Sequence, residues 1–168
     1  MDDHTLRLSW SWFLLPLVLF LTLVGALSSP RNAQGKPLLL LPDVKAVDDY
    51  RRSMSSAIAE MRLLDGEMAS LLAGQNLDLF TQSREAQAAF EHALRIAREI
   101  DVQTIPPILD SLRGEAANTA TAYLNTARLA LVWVSLPQED NHTVAENSLT
   151  QARQQLKALE GSKWLAMR

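Results

Sequence analysis

The chain contains no cysteine, which excludes a disulfide framework, a zinc ribbon, a thiol nucleophile, a covalently attached c-type haem and an acylated or prenylated cysteine anchor. Six glycines and seven prolines in 168 residues are too few for a collagen-like or low-complexity chain. There is no excess of positive charge: the net charge is −3 and the pI about 5.6. Binding to a phosphate backbone would then need a local basic stripe. The arginines at 51, 52, 95 and 98 instead alternate with Asp48, Asp49, Glu91 and Glu99, the spacing of surface ion pairs on helices. No nucleic acid is expected as a partner. Gly-x-Gly-x-x-Gly and phosphate-loop patterns are missing, and Ser53, Ser55 and Ser56 lie in a helical stretch without the strand-turn-helix context of a nucleophile elbow.

What is present is leucine and alanine, together close to a third of the chain, and that composition favours an all-α protein. The first marked feature is the run from Leu8 to Leu27, twenty residues without a charge. At about 1.5 Å per residue it matches the hydrocarbon core of a bilayer, about 30 Å thick. Trp10 and Trp12 suit a membrane interface, and Pro16 is tolerated inside a membrane helix. Residues 8–28 are therefore read as a single transmembrane anchor in contact with lipid, behind a short tail at 1–7. A cleaved signal peptide is the alternative. Ala26 and Ser28 put small residues where a signal peptidase needs them, whereas Asp2 and Asp3 against Arg7 deprive the preceding region of the usual positive charge. Residues 29–42 form a polar linker ending in four leucines between Pro37 and Pro42. The flanking charges, read by the positive-inside rule, keep the following domain cytoplasmic; the polar tether after the span favours an extracytoplasmic domain, which is the reading adopted.

From Asp43 the pattern turns helical. Val47, Tyr50, Met54, Ala57, Met61, Leu64, Met68 and Leu71 alternate spacings of three and four, a continuous seam that breaks near Gly74. A second helix from Ser83 carries Ala86, Phe90, Ala93, Ala97 and Ile100 and ends before Thr104. The prolines at 106 and 107 open a third, with Leu109, Leu112, Ala116, Ala120, Tyr123, Ala127, Leu131 and Val134 on one stripe until Pro137. Thr143 and Glu146 have the spacing of a capping box, followed by Ala145, Leu149, Ala152, Leu156 and Leu159 and a stop at Gly161. The expected domain, residues 43–161, is an antiparallel bundle of about four helices. The segment Ala88-Ala89-Phe90-Glu91-His92-Ala93-Leu94 resembles the second helix of a tetratricopeptide repeat, and this resemblance, confined to one helix, implies a short helical solenoid as the alternative.

Catalysis needs titratable groups in a desolvated site, and the apolar faces carry almost none. Asp65 sits at an edge of the first seam and reads as solvated. His92 lies about 120° from the centre of its stripe, a boundary position. Met54, Met61 and Met68 recur every seven residues, as core packing requires. Glu139-Asp140-Asn141-His142 is a Glu-x-x-His match placed in a loop, where a di-iron bundle needs two such motifs facing inward. No catalytic residue, cofactor or metal is assigned. The C-terminal tail, 162–168, with Trp164, Leu165 and Met167 between cations, has the composition of an interaction surface, and Trp133 lies in a stretch apolar on all sides. The sequence thus points to a non-enzymatic, membrane-tethered bundle acting by protein–protein interaction, as scaffold or accessory subunit of a membrane assembly. A ligand-binding sensory or carrier bundle that signals through a partner is the second expectation.

Overall fold

The computed structural model describes residues 11–28, 42–74 and 78–166. All regular structure among them is helical, and the chain divides into two units, 1–45 and 46–168. The first unit contains α1, Ser11–Ser28, with no charged residue and Pro16 inside it. Thr22 Oγ1 donates to the carbonyls of Val18 and Leu19 at 2.9 Å, so its hydroxyl is satisfied within the helix. Among the described residues no helix is long and apolar enough to cross a membrane. Of the expected twenty-residue span, only the part from Ser11 onward is among the described residues. The 18 residues of α1 rise about 27 Å against the roughly 30 Å of a hydrocarbon core, and Leu8, Ser9 and Trp10 lie outside the described residues. So do the tail 1–7, residues 29–41 of the linker, and Met167.

The second unit is built on four long helices: α2, Pro42–Leu72; α3, Leu79–Val102; α4, Asp110–Ser135; and α5, Glu139–Glu160. A 3-10 turn, Pro107–Leu109, precedes α4, and the four-residue α6, Lys163–Ala166, follows α5. Pro42, read as the last linker residue, is the first residue of α2, where its missing N–H costs no helical bond. Gly74 closes that helix in the left-handed conformation, φ +62°, its N–H donating to the Leu71 carbonyl at 3.2 Å.

Two helix starts differ from the sequence reading. Helix α3 begins at Leu79, not Ser83, because Asp78 caps it: one carboxylate oxygen accepts the N–H groups of Phe80 and Thr81, each at 3.0 Å. Those bonds and the Thr81 hydroxyl hold the Asp78 carboxyl below the usual carboxylate range. Helix α5 begins at Glu139, so Thr143 lies inside it and the expected capping box does not form there. Pro137 has already ended α4, and Glu139 and Asp140 favour the positive end of the new helix dipole. The tie between α4 and α5 is instead Asn141, whose Nδ2 donates to the Leu136 carbonyl at 2.9 Å.

Contacts between helices fix the arrangement. On α2 and α5, Arg62 meets Glu160 at 2.7 Å and Asp65 meets Arg153 at 2.8 Å. Further along, the Leu72 carbonyl accepts from His142 Nε2 at 2.8 Å, so the two helices run antiparallel. The α3–α4 and α4–α5 pairs are hairpins, the latter registered by Thr126 and Ser148 at 2.8 Å. His92 of α3 meets both Glu60 and Glu67 of α2. The first and last long helices touch, which closes a four-helix ring around one core, where an open solenoid would leave them apart. Every seam residue of α2 from Tyr50 to Leu71 is buried, as is the whole expected stripe of α5. On α3 the buried set is Ala86, Ala89, Ala93, Ile96 and Ile100, with Phe90 and Ala97 only half-buried. The ring is made of unlike parts: α3, α4 and α5 meet largely through alanines, while α2 contributes Tyr50, Met54, Met61, Leu64 and Met68.

Candidate functional site

The core seams leave two lateral faces of the bundle to solvent. The larger concavity runs along α4 and α5, a groove of about 1110 Å³ whose far end is formed by Ser162, Lys163 and Trp164. Helical geometry explains its walls. On α4, Ser111, Glu115, Asn118, Ala122, Asn125, Leu129, Val132 and Leu136 recur at alternating spacings of four and three. On α5, Val144, Ser148, Gln151, Gln155 and Ala158 do the same, and Ser162 follows just beyond its end. Each helix therefore carries a second heptad-spaced stripe beside its core seam, in which amides, hydroxyls and alanine lie with Glu115 over the groove and Leu129, Val132, Leu136 and Val144 toward the other end. Of the fifteen residues that line the groove only Glu115 and Lys163 are charged, both toward its Trp164 end. At the opposite end the stripes turn apolar: Val132, Leu136 and Val144 are exposed. Arg128, exposed and one heptad after the groove residue Thr121, donates to Asn125 Oδ1 at 3.1 Å, which sets a cation beside the groove lining.

The second face, between α2 and α3, has the opposite character. Its groove, about 730 Å³, is lined by Glu67, Ser70, Glu85, Ala88, Ala89, Glu91, His92 and Arg95. His92 is held between two carboxylates, Nδ1 at 3.0 Å from Glu67 and Nε2 at 3.0 Å from Glu60, with its side chain 11% exposed. Both ring nitrogens are thus occupied by protein groups, which leaves neither available to a substrate. Arg95 adds a contact to Glu60 at 3.6 Å. Among the described residues no group of three or more His, Cys, Asp or Glu side chains is placed to hold a metal ion.

A third polar cluster lies inside the ring. Asp65, expected in solvent, is 24% exposed and accepts a bidentate pair from Arg153, Nε at 2.8 Å and Nη2 at 3.1 Å, together with the Tyr123 hydroxyl at 3.1 Å. It joins α2 to α4 across the bundle and to α5 beside it. Burial first, and the Asp65 carboxylate second, push the Tyr123 phenol well above its ordinary range, while the bond to Asp65 raises the Arg153 guanidinium. This cluster holds three helices in register and opens onto neither groove.

The aromatic residues singled out in the sequence are packed against protein on one side. Trp133 is half-buried against the core and lies over the His142 ring, centroids 4.7 Å apart and planes tilted by 53°. The Glu-x-x-His pattern, expected in a loop, forms the first turn of α5, where His142 donates to the Leu72 carbonyl and so serves the end of α2. Trp164 and Leu165 are half-buried against the same core, with the Lys163 ammonium 5.4 Å from the indole centroid. Trp164 also forms the end wall of the α4/α5 groove; Trp133 and Leu165 are not part of its lining.

The chain matches no family model, no curated protein and no solved structure. The site must be read from its own chemistry. The α4/α5 groove offers mostly neutral hydrogen-bond donors and acceptors on a two-helix floor, with Glu115 and Lys163 at its Trp164 end. Such a surface suits recognition of another helix or of a neutral polar ligand. It was missed in the sequence because its period is written in Asn, Gln and Ser, which a search for apolar recurrence passes over.

Proposed function

We propose that the chain is a membrane-tethered, non-catalytic helical bundle that works by protein–protein interaction, as scaffold or accessory subunit of a membrane assembly, with the bundle on the extracytoplasmic side. The observation that carries this reading is the pair of charge-poor heptad-spaced stripes on α4 and α5, on which Glu115 is the one charged residue. In a bundle whose other lateral face is lined mainly by titratable groups, a charge-depleted face with small side chains on its floor is the composition of a buried contact. The charge-free helix α1 supplies the tether in this reading, together with the charge-free sequence at 8–10 before it. Full-length protein extracted in mild detergent is expected to run as a defined complex larger than 18.7 kDa. The substitution Gln151→Arg in the groove is expected to release the 18.7 kDa chain. A single species of that mass for both would count against the reading, and protease accessibility in sealed vesicles reads the side of the membrane.

A second reading, a ligand-binding sensory or carrier bundle, is favoured by one observation: the groove holds about 1110 Å³ and places an indole beside amides. Thermal-shift screening separates the two. A specific ligand at a hundredfold its dissociation constant adds about 2.7 kcal/mol to stability, whereas an interaction face responds to its protein partner.

A further inference from the structure

We propose that His92, held between the carboxylates of Glu60 and Glu67, is a proton-dependent latch between α3 and α2, complete when the ring carries both its protons and reduced to a single bond when it loses one. The donor count requires it. His92 Nε2 lies 3.0 Å from Glu60 Oε2, and Nδ1 lies 3.0 Å from Glu67 Oε2. An ionised carboxylate only accepts, whereas a neutral imidazole has one N–H and one lone pair. With both carboxylates ionised, two bonds at these distances need an imidazolium. A neutral ring would set one lone pair against a carboxylate oxygen. Imidazole is the side chain that changes charge between about pH 5 and 8, so the latch closes toward the acid end of that range and opens toward the other.

The neighbouring charges decide which bond is lost. Glu60 and Glu67 face the ring from α2, while Glu85, Glu91 and Arg95 of α3 share its groove, and Arg95 also reaches Glu99. Among the described residues no titratable group of α4 or α5 lines that groove. Arg95 stands 3.6 Å from Glu60, which keeps a cation beside it whatever the ring does. Glu67 has His92 as its one ion-pair contact among the described residues, and its side chain is 49% exposed. Loss of a proton therefore leaves Nε2–H bonded to Glu60 and turns Glu67 out to water. The helix so released is the one packed least closely. Helices α3, α4 and α5 approach one another through alanines, whereas the α2 backbone stays farther from its neighbours and fills the distance with Tyr50, Met54, Met61, Leu64 and Met68. Methionine-rich seams tolerate repacking, so the polar ties help fix where α2 lies. His142, the other histidine among the described residues, gives an internal contrast. Its Nε2 donates to the Leu72 carbonyl at 2.8 Å, while Nδ1 is 3.8 Å from Glu146, so a neutral ring is enough for that bond.

Urea unfolding of the full-length chain in mild detergent, followed by helicity from about pH 5 to 8, tests the latch. The closed latch holds a proton that the open one lacks, so its contribution is present at the acid end and lost as pH rises. The urea midpoint of the unmodified chain is expected to exceed that of His92→Gln near pH 5, and the difference should shrink toward pH 8. Comparison with the variant cancels the titration of the other carboxylates. Glu67→Gln offers a carboxamide N–H to the ring's lone pair, so both bonds form with a neutral imidazole. Its midpoint should not follow the decline of the unmodified chain and should lie above it near pH 8. His142→Gln should keep the pH dependence of the unmodified chain. Parallel profiles for the unmodified chain and His92→Gln would overturn the latch. So would a decline in Glu67→Gln as steep as in the unmodified chain, or a pH dependence that disappears in His142→Gln instead. Should His92→Gln fail to fold, the Glu67→Gln profile decides alone.

Discussion

The two lateral faces of the bundle are made by the same kind of helix and differ in what fills their second stripe. Between α2 and α3 several charged groups are paired within the chain: Glu60 and Glu67 clasp His92, and Arg95 reaches Glu60. Those groups already have partners and need only water outside them. Between α4 and α5 the amides Asn118, Gln151 and Gln155 line a groove in which charge is confined to one end. Exposed amides and small side chains give a helix pair little stability of their own, because water competes for every hydrogen bond. The contrast teaches that solvent exposure alone does not mark a functional surface; the distinction lies in whether the exposed groups are partnered within the chain.

Several substitutions would break or sharpen that contrast. The largest effect on stability belongs to the core between the two faces. Met61 is fully buried, and Met61→Ala should cost about 2–5 kcal/mol through the transfer energy of the removed atoms and a residual cavity, read by denaturant unfolding. Tyr123→Phe removes a donor from Asp65 while Arg153 remains bonded, and a loss of about 1–2 kcal/mol is expected in the same measurement. Gly74→Ala forces a Cβ into the left-handed region at the end of α2 and should cost about 1 kcal/mol. On the charged face, Arg95→Ala should change stability by less than about 1 kcal/mol, since its ion pairs are exposed, and should leave association with a partner intact. Asn125→Ala, on the neutral face, should be equally mild for folding and should weaken association. If Arg95→Ala and Asn125→Ala weakened association alike, the contrast between the faces would disappear.

Alkaline titration offers an independent probe of the interior. Both tyrosines of the chain, Tyr50 and Tyr123, are raised above the ordinary phenol value of 10.0, Tyr50 chiefly by burial and Tyr123 by burial and Asp65. The folded state then holds these protons more tightly than the unfolded chain, so their contribution is fully present below pH 10 and declines as pH rises above it. Tyrosinate absorbance and loss of helicity should rise together, and Tyr123→Phe should make the alkaline decline shallower.

Much of this structure was legible in the sequence, and the exceptions have physical causes. The seams of α2 and α5 were readable residue by residue because buried Met, Leu and Ala recur with the helical period. The α3 seam came out rotated, since an alanine-rich helix presents nearly equivalent small faces and Ile96 decided between them. Thr143 was mistaken for a cap because the side-chain pattern of a capping box also occurs inside a helix that starts a turn earlier. Asp65 looked solvated because its partners, Tyr123 and Arg153, are distant along the chain. The neutral face escaped notice because its regularity lies in polar residues, and Trp164 was picked out for its aromatic character when its place is the end wall of that groove.

The central claim, that the charge-poor α4/α5 face and not the charged α2/α3 face is where this chain meets another, is tested most directly by sedimentation of the full-length protein with one charge added to each face in turn. The paired variants are Gln151→Arg and Ser70→Arg, both at exposed positions within their respective grooves. The account predicts that Gln151→Arg reduces the complex to the 18.7 kDa chain while Ser70→Arg sediments like the unmodified protein. Unchanged sedimentation of Gln151→Arg, or dissociation by Ser70→Arg alone, would contradict it.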